Sequence, residues 1–114
     1  MEHDMKLNSS GFYGIKEKKQ KLEVRLFDDK RRILNLGDII IFTLLPDLTE
    51  EIKVKIVGLL VYSTFKELFS EIDLENWNAK NLSIEECIKC CNQIYSLDDE
   101  LKYGVVGIEI ELLQ

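Results

Sequence analysis

The sequence predicts an α+β protein, a small mixed or antiparallel β-barrel with helices packed on its outside. Three observations carry that expectation. Residues 22–26, 52–56 and 106–112 alternate apolar with polar or small side chains, the period of a strand with one buried face. Phe65, Leu68, Phe69 and Ile72, and again Ile84, Cys87, Ile88 and Cys91, recur at the spacing of an amphipathic helix. Strands and helices do not alternate strictly, and several strands are separated only by turns. That pattern favours a mixed or antiparallel sheet over a parallel one.

Element by element, residues 5–7 give a short first strand. Ser9 or Ser10 then caps a helix that carries Phe12 and Ile15 and ends in basic residues. In the next strand Leu22, Val24 and Leu26 take a core face, and Lys21, Glu23 and Arg25 share the opposite one. Residues 28–32 form a charged connection, and Asn35-Leu36-Gly37-Asp38 turns into a strand over residues 39–44. Pro46 and Asp47 mark a loop. Ile52, Val54 and Ile56 then alternate with Lys53 and Lys55 in a strand running on to Tyr62. Thr64 with Glu67 and Ser83 with Glu86 read as capping boxes opening two helices. Ser96 caps a short turn that ends at Gly104, and a last strand closes the chain.

At 114 residues the chain is read as one domain, and 46% hydrophobic with 32% charged residues is the balance of a folded protein rather than a disordered one. No apolar run approaches the ~20 residues of a membrane helix. The acidic N-terminus lacks the apolar stretch of a signal peptide. A cytoplasmic protein with no membrane partner is expected. Cys87, Cys90 and Cys91 are an odd number packed too closely for a disulfide framework, so they read as reduced thiols. Cys87-Ile88-Lys89-Cys90 has the C-x-x-C form, but no second cysteine or histidine pair accompanies it, and His3 reads as part of an N-terminal tail. No metal site follows. With no phosphate-cradling glycine loop either, no cofactor is expected.

A net charge of −6 argues against a long nucleic acid as ligand, yet it hides an asymmetry. Residues 1–32 hold nine Lys/Arg and six Asp/Glu, and the remainder holds six and fifteen. Eight of the fifteen basic residues fall between Lys16 and Arg32, where they make either a solvated helix end and loop or an anion-binding surface.

The residues in this basic stretch and beyond it resemble the ASCH family. Residues 18–26, Lys-Lys-Gln-Lys-Leu-Glu-Val-Arg-Leu, are similar to its opening G-x-K-T-x-E-x-R segment. Residues 27–32 and 36–42 are similar to its acidic-basic connection and G-D-x-I-x-F strand. Residues 62–69, Tyr-Ser-Thr-Phe-Lys-Glu-Leu-Phe, resemble Y-x-S-F-x-E-L-F/Y. Tyr95-Ser96 and residues 103–110 resemble the closing motif. The resemblance implies a PUA-like fold and a role in RNA recognition through a cleft lined by the E-x-R segment. One branch of the family hydrolyses N4-acetylcytidine with a lysine, a threonine and a glutamate. Here Gln20, Glu23 and Lys80 stand at those places, and a glutamine can neither carry charge nor shuttle protons. The usual glycine is replaced by Lys18.

The expected ligand is single-stranded RNA or a nucleotide-like molecule. Glu23 and Arg25, two apart on a strand, project from one face. A carboxylate there can accept from a base amino group, and a guanidinium can grip a phosphate. Alternatively they form an ion pair that closes the barrel end. Lys19, Lys21, Lys30, Arg31 and Arg32 are candidate phosphate contacts, or else solvated charges. Tyr62 and Tyr103, with Tyr95, are candidate stacking surfaces, or else anchors between helix and barrel. Trp77 reads as a partly buried lid. A second class of function is a small hydrolase or nuclease in the same cleft, with Glu23 as general base and Lys21 stabilising the transition state. A third is a protein-interaction domain using the acidic C-terminal part.

Overall fold

Five strands form one sheet, described with the rest of residues 1–113 in a computed structural model. They are β1 (Glu2–Leu7), β2 (Leu22–Leu26), β3 (Ile39–Leu44), β4 (Glu51–Tyr62) and β5 (Val105–Leu112). Their order is β1-β3-β4-β5-β2, with β1 parallel to β3 and every other pairing antiparallel. The expected α+β class and mixed sheet are present. The sheet curls into a half-barrel whose two edges are β1 and β2. No helix among the described residues is long and apolar enough to cross a membrane.

Five α-helices surround it: α1 (Ser9–Lys16), α2 (Asp29–Arg32), α3 (Phe65–Glu71), α4 (Ile84–Asn92) and α5 (Leu97–Tyr103). A 3₁₀ turn covers Leu74–Trp77. Ser83 and Glu86 make the full reciprocal capping box ahead of α4. At α3 only half of the expected box forms. The Thr64 hydroxyl accepts from the Glu67 N–H, while the Glu67 carboxylate turns to that same hydroxyl at 3.4 Å. Asn8, rather than Ser9 or Ser10, caps α1 by accepting from the Gly11 N–H.

The apolar residues divide into two cores on the two sides of the sheet. The concave side is filled by Met5, Ile40, Phe42, Val54, Ile56, Val106 and Ile108, with Phe12 and Ile15 of α1 over them. The outer side of β2 carries Leu22, Val24 and Leu26 against Phe65, Leu68 and Phe69 of α3 and Cys87 and Cys91 of α4. A bulge between Ile56 and Gly58 lets one long strand serve both cores. A Cβ at Gly58 would meet the Glu109 side chain, whose carboxylate would have to move aside.

One expectation is corrected here. His3 is not in a tail: it lies in β1, buried, with its Nε2 2.8 Å from Asp38 Oδ2. That contact holds the Asp38 carboxyl below its ordinary range. The face of β2 that bears Glu23 and Arg25 is enclosed. In register they stand opposite Ile108 and Val106, members of the concave core, so the polar face is the inner one.

Candidate functional site

A face enclosed on a curled sheet must satisfy its charges internally, and β2 does so. Glu23 is only 6% exposed. Its Oε2 accepts from Arg25 Nε at 2.9 Å and lies 2.8 Å from Nη2, and its Oε1 accepts from the Val24 N–H at 3.3 Å. Gln20, also buried, reaches the Leu22 carbonyl at 3.0 Å and Glu23 Oε1 at 3.5 Å through its amide nitrogen. The Arg25 Nη2 donates onward to the Lys6 carbonyl at 2.9 Å. That last bond spans the two edges of the sheet, tying β2 to β1 where the strands do not pair. Arg25 thus bridges the two edges of the half-barrel. Arg25 Nη1 makes no hydrogen bond to the described residues, so that one amino group of the guanidinium stays available.

The pair also lines a hollow of about 510 Å³, within the usual range for a small-ligand pocket. Lys6, Asn8 and Ser10 border it on the side of β1 and α1. Trp77, Asn78 and Leu82 approach from the 3₁₀ turn and the following loop, and Cys90, Cys91, Ile94 and Tyr95 from α4 and its end. Trp77 packs on Phe69 with ring centroids 4.9 Å apart, and Tyr95 stacks on Phe65 at 5.9 Å. Both aromatics are thus braced from behind by α3 while contributing to the wall. Burial pushes the Tyr95 hydroxyl up from its ordinary pKa, with Arg25 opposing and Glu23 reinforcing the shift. The Cys91 thiol is pushed up to about 12, mainly by burial. It is a neutral packing group rather than a nucleophile.

The remaining sequence-predicted residues lie elsewhere. Lys19 and Lys21 point into an adjoining hollow beyond Gln20. Lys30 is exposed on α2. Arg31 is folded against Asp28, its Nη1 3.1 Å from Oδ2, and its buried Nε has no partner. Arg32, Tyr62 and Tyr103 line a third hollow that shares no residue with the Glu23–Arg25 pocket. There the Arg32 guanidinium lies 4.4 Å over the Phe27 ring and donates to the Tyr103 carbonyl. Of the three tyrosines, Tyr95 joins the pocket. Sequence reasoning passed over Gln20, Trp77 and Asn78 as wall residues. Their common signal is a polar stretch that punctuates apolar stripes without being long enough for a free loop.

No family model matches the chain. Nor does any curated protein. Solved structures do. The crystal structure of hypothetical protein PH0355 superposes with a TM-score of 0.88 at 43% identity, over 99% of this chain and 100% of that one. The solution structure of protein PF0455 from Pyrococcus furiosus gives 0.80 at 39% identity, over 100% of this chain and 99% of that one. The chain belongs to their family. Identity of this order over full length extends the half-barrel and its helices to the relatives as one shared architecture.

Proposed function

We propose that this is an ASCH-type domain of PUA-like fold that recognises single-stranded RNA or a nucleoside-like ligand, with a base held in the Glu23–Arg25 pocket. The supporting observation is the convergence, at one hollow, of an enclosed ion pair, whose guanidinium keeps Nη1 free, and two braced aromatic rings. A base offers a π-face for Trp77 or Tyr95 and edge acceptors for Arg25. Because Glu23 already accepts from Arg25, Val24 and Gln20, it orients the guanidinium and is poorly free to act as a base. This favours a binding module over the hydrolase reading.

A net charge of −6 repels a long polyanion, so a compact site should touch few phosphates. For single strands log affinity falls against log salt by about 0.7 per phosphate neutralised. Two to four contacts give a slope between roughly −1.4 and −2.8. Affinity should stop rising beyond about four to six nucleotides. A titration series in varied salt with RNA oligonucleotides of increasing length measures both. A slope steeper than about −4 with affinity still climbing would replace the pocket by an extended groove.

A further inference from the structure

We propose that the hollow adjoining the pocket is a phosphate subsite, in which Lys18, Lys19, Lys21 and Lys80 receive the phosphate of a nucleotide whose base occupies the Glu23–Arg25 pocket. The assignment rests on the pocket reading above and adds the ligand's phosphate and the residues that hold it. Four ammonium groups line one depression of about 590 Å³ with a single carboxylate, Glu75, and the amides of Asn76 and Asn78. Lys18, Lys19 and Lys21 are neighbours in sequence, and Lys80 joins them from across the fold. Without an anion these ammonium groups repel one another. Lys19 has an exposed partner in Glu17 at 3.3 Å, a contact of little strength. Lys18, Lys21 and Lys80 make no ion pair to the described residues.

The hollow and the pocket are two sides of one wall. Along residues 19–21 the chain sends Lys19 and Lys21 to the hollow and Gln20 to the pocket. Along residues 76–78 it sends Asn76 to the hollow and Trp77 to the pocket, and Asn78 borders both. The backbone behind them is pinned. The N–H groups of Lys19 and Gln20 both donate to the Gly14 carbonyl at 2.9 Å, and that of Lys21 donates to the Asn76 carbonyl at 2.7 Å. Fixed supports of this kind suit a ligand-binding shell.

The backbone turns at both walls of the hollow, first at Lys18, just past the α1 C-cap. The Lys18 φ is +63°, in the left-handed region, and Asn78 on the facing segment has φ +57°. Only three non-glycine residues of the described chain adopt positive φ, and two of them line this hollow. A lysine at such a position is less favourable than glycine, which has no Cβ to crowd the backbone. The ASCH pattern has glycine at this place. Both positions terminate helices, where the left-handed conformation is ordinary, and the turn at Lys18 brings that residue to the hollow.

The phosphate could be the monoester of a free nucleotide or the diester of a short strand, and the probes separate these. Affinities are measured for the four common ribonucleosides, their 5′- and 3′-monophosphates and the corresponding trinucleotides, with inorganic phosphate followed separately by amide shifts in NMR. The expected result is binding about tenfold tighter for a phosphorylated probe than for its nucleoside. A gain with monophosphates marks the monoester, and a gain confined to trinucleotides marks the diester. Lys18→Gly should raise the melting temperature while reducing that gain, and adding Lys80→Ala should abolish it with nucleoside affinity unchanged. A merely structural lysine would not weaken binding while its replacement stabilises the fold. Equal affinity for nucleosides and phosphorylated probes, or a full gain in the double variant, overturns the subsite and leaves the base pocket standing. If no nucleoside binds but inorganic phosphate shifts the amides of residues 18–21 and Lys80, the subsite stands and the base pocket falls. If inorganic phosphate and every phosphorylated probe leave those amides unmoved, the subsite is overturned.

Discussion

Strands β2 and β4 carry the same alternation and use it differently. In β4 Ile52, Val54 and Ile56 enter the concave core while Lys53 and Lys55 stand in solvent. In β2 Leu22, Val24 and Leu26 are buried, and so is Glu23, with Arg25 nearly so at 13% side-chain exposure. The difference is position. The first half of β4 has water on its outer side. Strand β2 is roofed on its outer side by α3 and α4, and its inner side is rolled towards the opposite edge of the sheet. Alternation therefore reports that a strand has two unlike faces. Which face is wet depends on what the rest of the chain lays over it, and a charged face that ends up enclosed is where function is to be sought.

Removing one partner on each strand breaks the comparison most severely. Glu23→Ala leaves the Arg25 guanidinium enclosed without its carboxylate, a loss of about 3 kcal/mol. Lys55→Ala removes a solvated charge and should stay within about 0.5 kcal/mol of the parent. Urea unfolding of the two variants measures the contrast, and equal losses would mean that β2's inner face is wet after all. A smaller change is expected when both charges go together. Replacing Glu23 by leucine and Arg25 by methionine removes the need for pairing, so most of the single-variant loss should return. The Lys6 carbonyl loses its donor in that variant, which keeps the recovery partial. RNA binding should nonetheless disappear. Recovery of binding along with stability would show that the pair serves only to close the barrel.

The strands and the cap at Ser83 were legible because each rests on local chemistry, whereas Asn8 took the α1 cap from Ser9 and Ser10 and the Thr64–Glu67 box formed only by half. The span of β3 over Ile39–Leu44, the cap at Ser83 and the burial of Cys87 and Cys91 all follow from neighbours in sequence. The pairing of Glu23 with Arg25 was legible too, since two residues apart on a strand share a face. What local pattern cannot carry is the partner across the fold. That His3 finds Asp38, or that Arg25 finds Lys6, depends on β1 lying parallel beside β3 and on the curl of the sheet. The same holds for the basic stretch. Lys19 and Arg32 are close in sequence, yet β2 separates them, so they line different hollows.

The smallest effect expected on this comparison concerns how strongly Glu23's charge reaches the Cys91 thiol, which borders the same hollow. The pKa of Cys91 is pushed up to about 12 from 9.0 by burial first, then by Cys90 and Cys87, then by Glu100 and last by Glu23. A raised folded-state pKa means the protonated thiol is favoured in the fold. Its contribution is complete below pH 9, where folded and unfolded chains both keep the proton. Between pH 9 and pH 12 the unfolded chain releases its proton first, so stability falls as pH rises. Cys87 and Tyr95, both raised mainly by burial, slope the same way. Urea unfolding from pH 8 upward should therefore show an alkaline decline that Cys91→Ala makes shallower. Glu23→Gln, measured relative to its own stability at pH 8, should leave the steepness almost unaltered, because burial outweighs a carboxylate already neutralised by Arg25. If Glu23→Gln flattened the decline as much as Cys91→Ala does, the charge would be reaching the thiol unscreened. The ion pair on the inner face of β2 would then be far looser than its 2.8 Å contact implies.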